Sequence, residues 1–344
     1  MSGSRQAIWF LARRLGTALL TVLGLVTLVF AMIKLIPGDE AQVAAGDGAT
    51  PAQVERTRAQ LGLDAPAIVQ YFRYLGRLVH GDLGTSTATR HPVLNDVLAV
   101  LPATAELVVL ALLLALLVAL PAATFAALRH GAATDAVSRI LVVITAGLPT
   151  FWLGLLLQWL LGTKLEMLPI SGRFSAGIEV PTRTGMAMLD ALLAGDLYAF
   201  YDALQHFVLP ASVLAVPVAA QLFRLLRAEL LTVLAREHIT VARAKGVPMR
   251  RLVRGHAVPN AMGPVLTLTG IEVGILVGSA VLVESIFGLS GVGAYLQNAV
   301  EQRDIFAVLG TVTAIGVLVV LANLVTDVVQ LVRDPRLRST RMGG

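Results

Sequence analysis

Leu107–Leu128 reads LVVLALLLALLVALPAATFAAL, a run of 22 residues without one charged side chain. An α-helix needs roughly 20 apolar residues to cross the hydrocarbon core of a bilayer. The rest of the chain has the same character, because 56% of its 344 residues are hydrophobic and only 14% are charged. Soluble domains carry about 25% charged residues and disordered chains have low hydrophobicity, so both classes are excluded. The sequence predicts a protein that lies in a membrane.

Five further segments have the length or composition of a membrane span. They are Leu15–Ile33, Ile140–Thr163, Phe207–Phe223, Ala257–Val283 and Ile305–Val325. Phe207–Phe223 is short and contains two prolines, whereas Ala257–Val283 is long and contains Glu272. Leu15–Ile33 is too long for the core of a cleavable signal peptide, so we interpret it as a retained span. The predicted fold class is an all-α polytopic membrane protein with six transmembrane helices.

The basic residues indicate how these spans are oriented. With both termini in the cytoplasm, the cytoplasmic segments hold 17 of the 27 basic residues and 5 of the 22 acidic residues. Basic residues concentrate in cytoplasmic loops, so the pattern predicts that the N- and C-termini both lie inside. This asymmetry explains the net charge of +5 and the high isoelectric point without a nucleic-acid partner.

The cytoplasmic segment between the fourth and fifth spans is predicted to form a hairpin, residues 228–259. Ala228–Lys245 is expected to be a helix that Gly246 caps, and Pro248 opens a second helix over Met249–His256. A DNA-binding helix-turn-helix is disfavoured, because the hairpin connects two spans. A short rigid hairpin of this kind can be held by a soluble partner whose motion it passes to the membrane helices.

The hairpin sequence resembles the EAA loop of bacterial ABC importer permeases, which has the pattern E-A-A-x-x-x-G-x9-I-x-L-P. The matching positions are Ala242, Gly246 and Pro259, with Val258 in place of leucine. The departures are Thr240, Val241 and His256, where the pattern has Glu, Ala and Ile. The sequence around the hairpin is more similar to the peptide and nickel branch of these permeases, which often lacks that Glu.

Short motifs along the whole chain resemble the same branch. They are Leu11-Ala-Arg-Arg14, Pro37-Gly-Asp39, Leu61-Gly-Leu-Asp64, Gln70-Tyr71, Gly81-Asp-Leu-Gly84, Leu101-Pro-Ala-Thr-Ala-Glu106, Pro149-Thr-Phe-Trp152, Val283-Glu284 and Asp334-Pro-Arg336. Their order and spacing are similar to those of the B-type permease of dipeptide and oligopeptide importers. One departure lies at Phe287–Gly293, where the family usually has a proline before the glycine.

The resemblance implies a type I importer permease fold in three parts. Residues 1–36 would hold the N-terminus and first span, residues 37–99 an extracytoplasmic segment with amphipathic helices, and residues 100–344 a permease core with five spans. The spacing of apolar residues over 68–79 predicts an amphipathic helix that either lies on the outer leaflet or meets an extracytoplasmic partner. A short helix is also expected near Met186–Leu193.

The resemblance also implies a function and a set of partners. The chain would form half of the pathway of an ATP-driven peptide importer in the bacterial inner (plasma) membrane. Its partners would be a second homologous permease, two ATPase subunits, an extracytoplasmic substrate-binding protein and the lipid bilayer. The alternative cargo is a nickel chelate or another small solute, and a secondary transporter is a further alternative.

No catalytic or cofactor motif accompanies this resemblance. The sequence lacks the phosphate-binding pattern G-x-x-x-x-G-K-[ST], so ATP and Mg are expected on the partner subunits and this chain is not expected to be an enzyme. The six histidines are dispersed and the chain has no cysteine, so we expect no metal site and no bound cofactor.

The hairpin residues expected to contact an ATPase share small size, positive charge or a role in the turn. They are Thr240, Ala242, Arg243, Ala244, Lys245, Gly246, Val247, Pro248 and Pro259. The small side chains would let a partner's groove approach the backbone, and Arg243 and Lys245 could pair with acidic groups there. The alternative for these two cations is that they only fix the topology.

Carboxylates and glycines near or within the spans are further candidates. Charged groups at membrane depth usually face a cavity or a partner, so Glu272 is a candidate for the pathway and Glu284 for the outer gate. Glu106 is expected to be hydrogen-bonded structurally. Gly270, Gly274 and Gly278 have the spacing of close helix contacts, either with the partner permease, beside the pathway or within this chain.

Overall fold

The computed structural model describes residues 3–35, 39–46 and 48–333, and this part of the chain is built from helices without a β-strand. The helices are α1 (Gly3–Leu35), α2 (Glu40–Ala45), α3 (Pro51–Leu61), α4 (Ala67–Val79), α5 (Val93–Leu128), α6 (Ala133–Gly147), α7 (Thr150–Leu157), α8 (Ala187–Ala194), α9 (Leu197–Leu234), α10 (Glu237–Ala244), α11 (Met249–Leu252), α12 (Val258–Phe287), α13 (Val292–Glu301) and α14 (Ile305–Arg333). Two π-helical segments, Gln158–Lys164 and Val253–Ala257, follow α7 and α11. The motif Asp334-Pro-Arg336 and residues 37 and 38 lie outside the described residues.

The predicted all-α polytopic membrane fold is confirmed. Five helical stretches are long and apolar enough to cross a membrane: the outer part of α1, then α5, α9, α11 with α12, and α14. The sixth predicted span, Ile140–Thr163, is two helices that meet at 103°. Proline disfavours the helical conformation of the residue before it, and Leu148 has an extended ψ of 128°, which explains the bend at Leu148-Pro149. The described residues therefore hold five candidate spans, and six if the bent pair is counted as one span.

Small residues on α5 set the centre of the helix bundle. Ala111, Ala115, Ala119 and Ala123 recur every four residues and are 0–2% exposed, so they form one buried face of α5. Side chains of α9 such as Phe207, Leu214 and Leu222 pack in the same apolar core. Without bulky residues on this face, α9 lies close to α5, and α12 completes the core on the other side.

The outer segment is held against the spans by α4, the predicted amphipathic helix. Tyr74 is buried, and its hydroxyl lies 3.4 Å from the Thr313 hydroxyl of α14. Ile68, Phe72 and Val79 are 61%, 63% and 85% exposed, so part of the predicted apolar face remains uncovered. The predicted boundary at residues 99 and 100 falls inside α5, which already begins at Val93.

The second outer segment is fixed by carboxylates. The predicted short helix is confirmed as α8, and its first N–H groups, on Ala187 and Met188, donate to Glu106 at 2.7 and 2.8 Å. This agrees with the structural role expected for Glu106.

A second carboxylate of this segment is Asp190. Burial alone would raise the pKa of Asp190, but hydrogen bonds from Thr184 outweigh this effect and hold the pKa below its usual range. Asp190 is therefore an ionised acceptor at neutral pH.

Glu284 lies in a hydrogen-bond network at the outer ends of three helices. It accepts from the Thr104 hydroxyl of α5 at 2.6 Å and from the Gly293 N–H of α13 at 2.7 Å. The same Thr104 hydroxyl oxygen accepts from the Val292 N–H at 2.8 Å. The structure therefore places Glu284 as the acceptor that joins α12 to α5 and α13, whereas a gating role stays a prediction.

Replacing Thr104 with Val tests this network. The change leaves the Val292 N–H without its acceptor and Glu284 without one donor, and we expect a loss of about 1–3 kcal/mol in unfolding free energy. Thermal unfolding of the purified chain in detergent measures the effect. Thr124→Val is the matched control, because within the described part of the chain the Thr124 hydroxyl bonds only to the Leu120 carbonyl of its own helix. Equal stability of the two variants would contradict the assignment.

Candidate functional site: the cytoplasmic hairpin

The first arm of the hairpin is two helices, not the single helix predicted over Ala228–Lys245. The helix α9 ends at Leu234 and α10 begins at Glu237. Between them Arg236 has an extended ψ of 147°. The buried stripe of α9 ends at Val233, and beyond it the exposed Ala235 and Arg236 have no packing surface that would reward a continuous helix. The predicted start of the hairpin at residue 228 therefore lies within α9.

The turn at Gly246 has the geometry that the sequence predicted. Gly246 has φ of +79°, and its N–H donates to the Arg243 carbonyl at 2.9 Å, while the Val247 N–H donates to Ala242 at 3.2 Å. Glycine adopts this left-handed conformation at little cost, and other residues rarely do. No atom lies within 4 Å of the position that a Cβ would take, so only the backbone conformation requires glycine here.

The second arm joins the fifth span without a break. Pro248 has an extended ψ of 140°, and its carbonyl accepts the N–H groups of Arg251 and Leu252. The predicted helix over Met249–His256 is α11 followed by π-helical turns, and these lead directly into α12. The hairpin is anchored by Ile239 on the first arm and Leu252 on the second, which are 1% and 0% exposed.

The predicted contact residues lie mostly at the surface. Seven are exposed, namely Thr240, Arg243, Ala244, Lys245, Gly246, Pro248 and Pro259, while Ala242 and Val247 are half-buried. Arg243 and Lys245 make no ion pair with the described residues, and neither do the exposed Arg250, Arg251 and Arg254 nearby. The hairpin therefore presents small residues and unneutralised positive charge to the cytoplasm, which suits an acidic groove on a partner.

A buried ion pair that sequence reasoning missed lies beside the hairpin. Arg227 of α9 donates through two nitrogens to the two carboxylate oxygens of Asp135, each at 2.7 Å, and Asp135 is 1% exposed. The ring of His130 lies 3.1 Å from the Arg227 guanidinium. The pair joins the start of α6 to α9 two turns before the hairpin. One signal was available, because Asp135 is among only five acidic residues in the cytoplasmic segments.

Glu272 lies inside the bundle. It is 1% exposed, and neither carboxylate oxygen has a hydrogen-bond partner among the described residues. A side chain that lines a passage between two subunits would be exposed in the single chain, so this conformation does not place Glu272 on such a surface. Its role in the pathway stays a prediction.

Gly274 and Gly278 of the fifth span have different surroundings. A Cβ on Gly274 would lie 3.1 Å from Val319, so this glycine allows α14 to approach α12. Gly270 is buried, whereas Gly278 is exposed and has no atom near its Cβ position. Among the alternatives left open by the sequence, the structure places Gly274 in packing within the chain.

Replacing Asp135 with Asn tests the ion pair. It leaves the Arg227 guanidinium partly buried without its countercharge, and we expect a loss of roughly 3 kcal/mol in unfolding free energy. The exchange Asp135→Arg with Arg227→Asp restores opposite charges and should recover part of the loss. Thermal unfolding measures both, and Glu237→Gln, at an exposed carboxylate without an ion pair, is the control. A stability of Asp135→Asn equal to that of the control would contradict the pair.

The chain matches known proteins over nearly its whole length. The family model "Binding-protein-dependent transport system inner membrane component" matches residues 119–339, and the N-terminal model of such membrane components matches residues 7–108. A probable D,D-dipeptide transport system permease protein of Escherichia coli is 40% identical over 334 residues, covering 97% of this chain and 96% of that protein.

Two further relatives are similar over the same extent. A di/tripeptide transport system permease protein of Pseudomonas aeruginosa is 39% identical over 96% of this chain and 99% of its own length. A dipeptide transport system permease protein of Escherichia coli is 36% identical over 96% of this chain and 98% of its own. With its membrane helices and exposed hairpin, the chain belongs to the family of binding-protein-dependent transport system inner membrane components, and it is a multi-pass membrane protein.

Proposed function

We propose that this chain is the transmembrane permease subunit of an ATP-driven importer of dipeptides and other short peptides. The observation that carries the proposal is the hairpin, which has a glycine turn and an unneutralised basic surface and continues directly into the fifth span. The relatives reported above support the cargo, since their names specify di- and tripeptides. A nickel chelate remains the alternative cargo, and no observation favours it or a secondary transporter.

Four other subunits complete the proposed machine. A second homologous permease would supply the other half of the pathway, and an extracytoplasmic substrate-binding protein would deliver the peptide. Two ATPase subunits would bind ATP and Mg and hold one hairpin each. The exposed Arg243 and Lys245 would meet acidic groups on the ATPase, and charge complementarity of this kind selects the partner.

The mechanical role follows from how the hairpin is attached. When the ATPase subunits close on ATP, they would move the two hairpins together. Because α11 continues into α12, the second arm would carry this movement directly into the fifth span. The ion pair between Asp135 and Arg227 would make α6 follow α9. Rigid-body rotation of these helices would open the pathway to one side of the membrane at a time.

Affinity purification of the tagged chain from the membrane of its own bacterium tests the assembly. We expect a second permease and two ATPase subunits to copurify. Peptide uptake by vesicles reconstituted with the complex should require ATP on the side of the membrane where the hairpins lie. The control is the complex with ATPase subunits that cannot hydrolyse ATP, which should assemble but should not transport peptides. Peptide uptake by this chain alone, without ATP, would contradict the proposal.

Substitutions at Gly246 test whether the position tolerates a small side chain and whether it tolerates a bulky one. Asparagine tolerates the left-handed conformation, so Gly246→Asn should keep peptide uptake within about threefold of the wild type. The Cβ of Gly246→Trp meets no described neighbour within 4 Å, but the bulky side chain would lie where the ATPase would sit and the left-handed turn would be strained as well. We expect it to reach the membrane in normal amounts and to lose at least 90% of uptake, roughly a tenfold change. Normal uptake by Gly246→Trp would contradict the docking role.

A further inference from the structure

A cleft of about 700 Å³ lies at the outer ends of the first and last spans. Its walls come from α1, the C-terminal end of α3, one side of α4 and the start of α14. The apolar lining includes Phe30, Ile33 and Phe306, and the cationic lining is Lys34, Arg73 and Arg77. The cleft therefore combines an apolar surface with three cationic side chains.

The cleft lies at the level of the lipid headgroups. Lys34 is in the last turn of the first span, Gly16–Leu35, and Ile305 is the first residue of the last span. The exposed apolar side chains Ile68, Phe72 and Val79 on α4 are those of a helix at a membrane interface. Three elements that line the cleft thus border the same outer boundary of the hydrocarbon core.

Aromatic rings and an amide contact two of the cations in the cleft. The Lys34 ammonium lies 5.6 Å from the Phe30 ring and donates to Gln70 at 2.7 Å. The Arg77 guanidinium lies 5.1 Å from the Phe306 ring, a contact that leaves the N–H groups at its edge available. Arg73 makes no hydrogen bond or ion pair with the described residues and is exposed.

The charge of the cleft is opposite to that of its surroundings. Outside the cytoplasmic segments the chain carries 17 acidic and 10 basic residues, so the outer part is acidic as a whole. Among the described residues that line the cleft, Asp82 is the one carboxylate, and its Oδ1 already accepts the Gly84 N–H at 2.8 Å. Arg73 and Arg77 against Asp82 therefore leave an excess of one positive charge, which faces the headgroup layer of an otherwise acidic surface.

We propose that this cleft binds the phosphate headgroup of an anionic phospholipid from the outer leaflet. The phosphate would accept hydrogen bonds from Arg73 and Arg77, because guanidinium groups match phosphate oxygens in geometry and charge. The glycerol and the first carbons of the acyl chains would pack against Phe30 and Ile33 and continue along α1. The bound lipid would hold the outer segment on the bilayer. This proposal does not depend on the peptide-import function.

Native mass spectrometry of the full-length chain, purified with the subunits that accompany it, tests the site. The probes are phosphatidylglycerol, phosphatidylcholine and inorganic phosphate. We expect the wild type to prefer phosphatidylglycerol over phosphatidylcholine. The double change Arg73→Gln with Arg77→Gln should weaken phosphatidylglycerol binding about 30-fold, since two basic contacts to an anionic headgroup are lost.

Two control variants make the test specific. Arg56→Gln removes an exposed arginine of α3 that does not line the cleft, and it should bind phosphatidylglycerol like the wild type. The double change Arg73→Lys with Arg77→Lys keeps both charges and should retain most of the binding. If the glutamine variant does not fold, the proposal is tested by the preference of the wild type and of the lysine variant for phosphatidylglycerol over phosphatidylcholine.

Three results would overturn the proposal. The first is equal phosphatidylglycerol binding by the wild type and the glutamine variant. The second is full displacement of the lipid by millimolar inorganic phosphate, which would make the cleft a site for free anions. The third is a wild type without preference for phosphatidylglycerol over phosphatidylcholine, together with loss of a copurifying extracytoplasmic protein from the glutamine variant, which would make the cleft a docking surface for an acidic protein.

Discussion

Inside a bilayer no water is available to satisfy a backbone N–H or C=O group, and each unsatisfied group costs several kcal/mol. The chain meets this constraint with helices that satisfy their own backbone, such as α5 with 36 residues and α9 with 38. Irregular backbone occurs at the sides of the bundle or at its ends, where protein or water can serve as partner. The bend at Leu148-Pro149 and the hairpin turn at Gly246 are the two main examples.

The polar side chains that tie these helices together are concentrated at the two rims. On the outer side, Glu106 and Glu284 accept backbone and hydroxyl donors, and Asp304 accepts from Ser86 at 2.6 Å and from the Ala307 N–H. On the cytoplasmic side, Asp135 and Arg227 form a buried pair. Between the rims, α5 and α9 contact through alanines and other apolar residues. Such a core can shift as a rigid body while the rims preserve the connections.

The two ends of the molecule are suited to different tasks. The hairpin is an exposed, positively charged segment between α9 and α12, and its turn depends on one glycine. The outer cleft lies beside α1, α4 and α14, at the edge of the bundle away from the contact between α5 and α9. A lipid held at this edge would steady the outer segment while the inner helices move. Neither task explains Glu272, a buried carboxylate whose oxygens have no hydrogen-bond partner among the described residues.

The sequence by itself determined the membrane class, the positions of six apolar segments, the orientation and the Gly246 turn. These features depend on local composition and on residues close together in the chain, and span length is set by the thickness of the bilayer. The break between α9 and α10 could not be predicted, because it depends on where packing against other helices stops. Only the tertiary structure decided that Asp135 meets Arg227 and that Arg73 and Arg77 share a cleft with Phe30 and Phe306. Such contacts join residues far apart in the chain, and their partners follow from how the helices pack, which a single sequence does not encode locally.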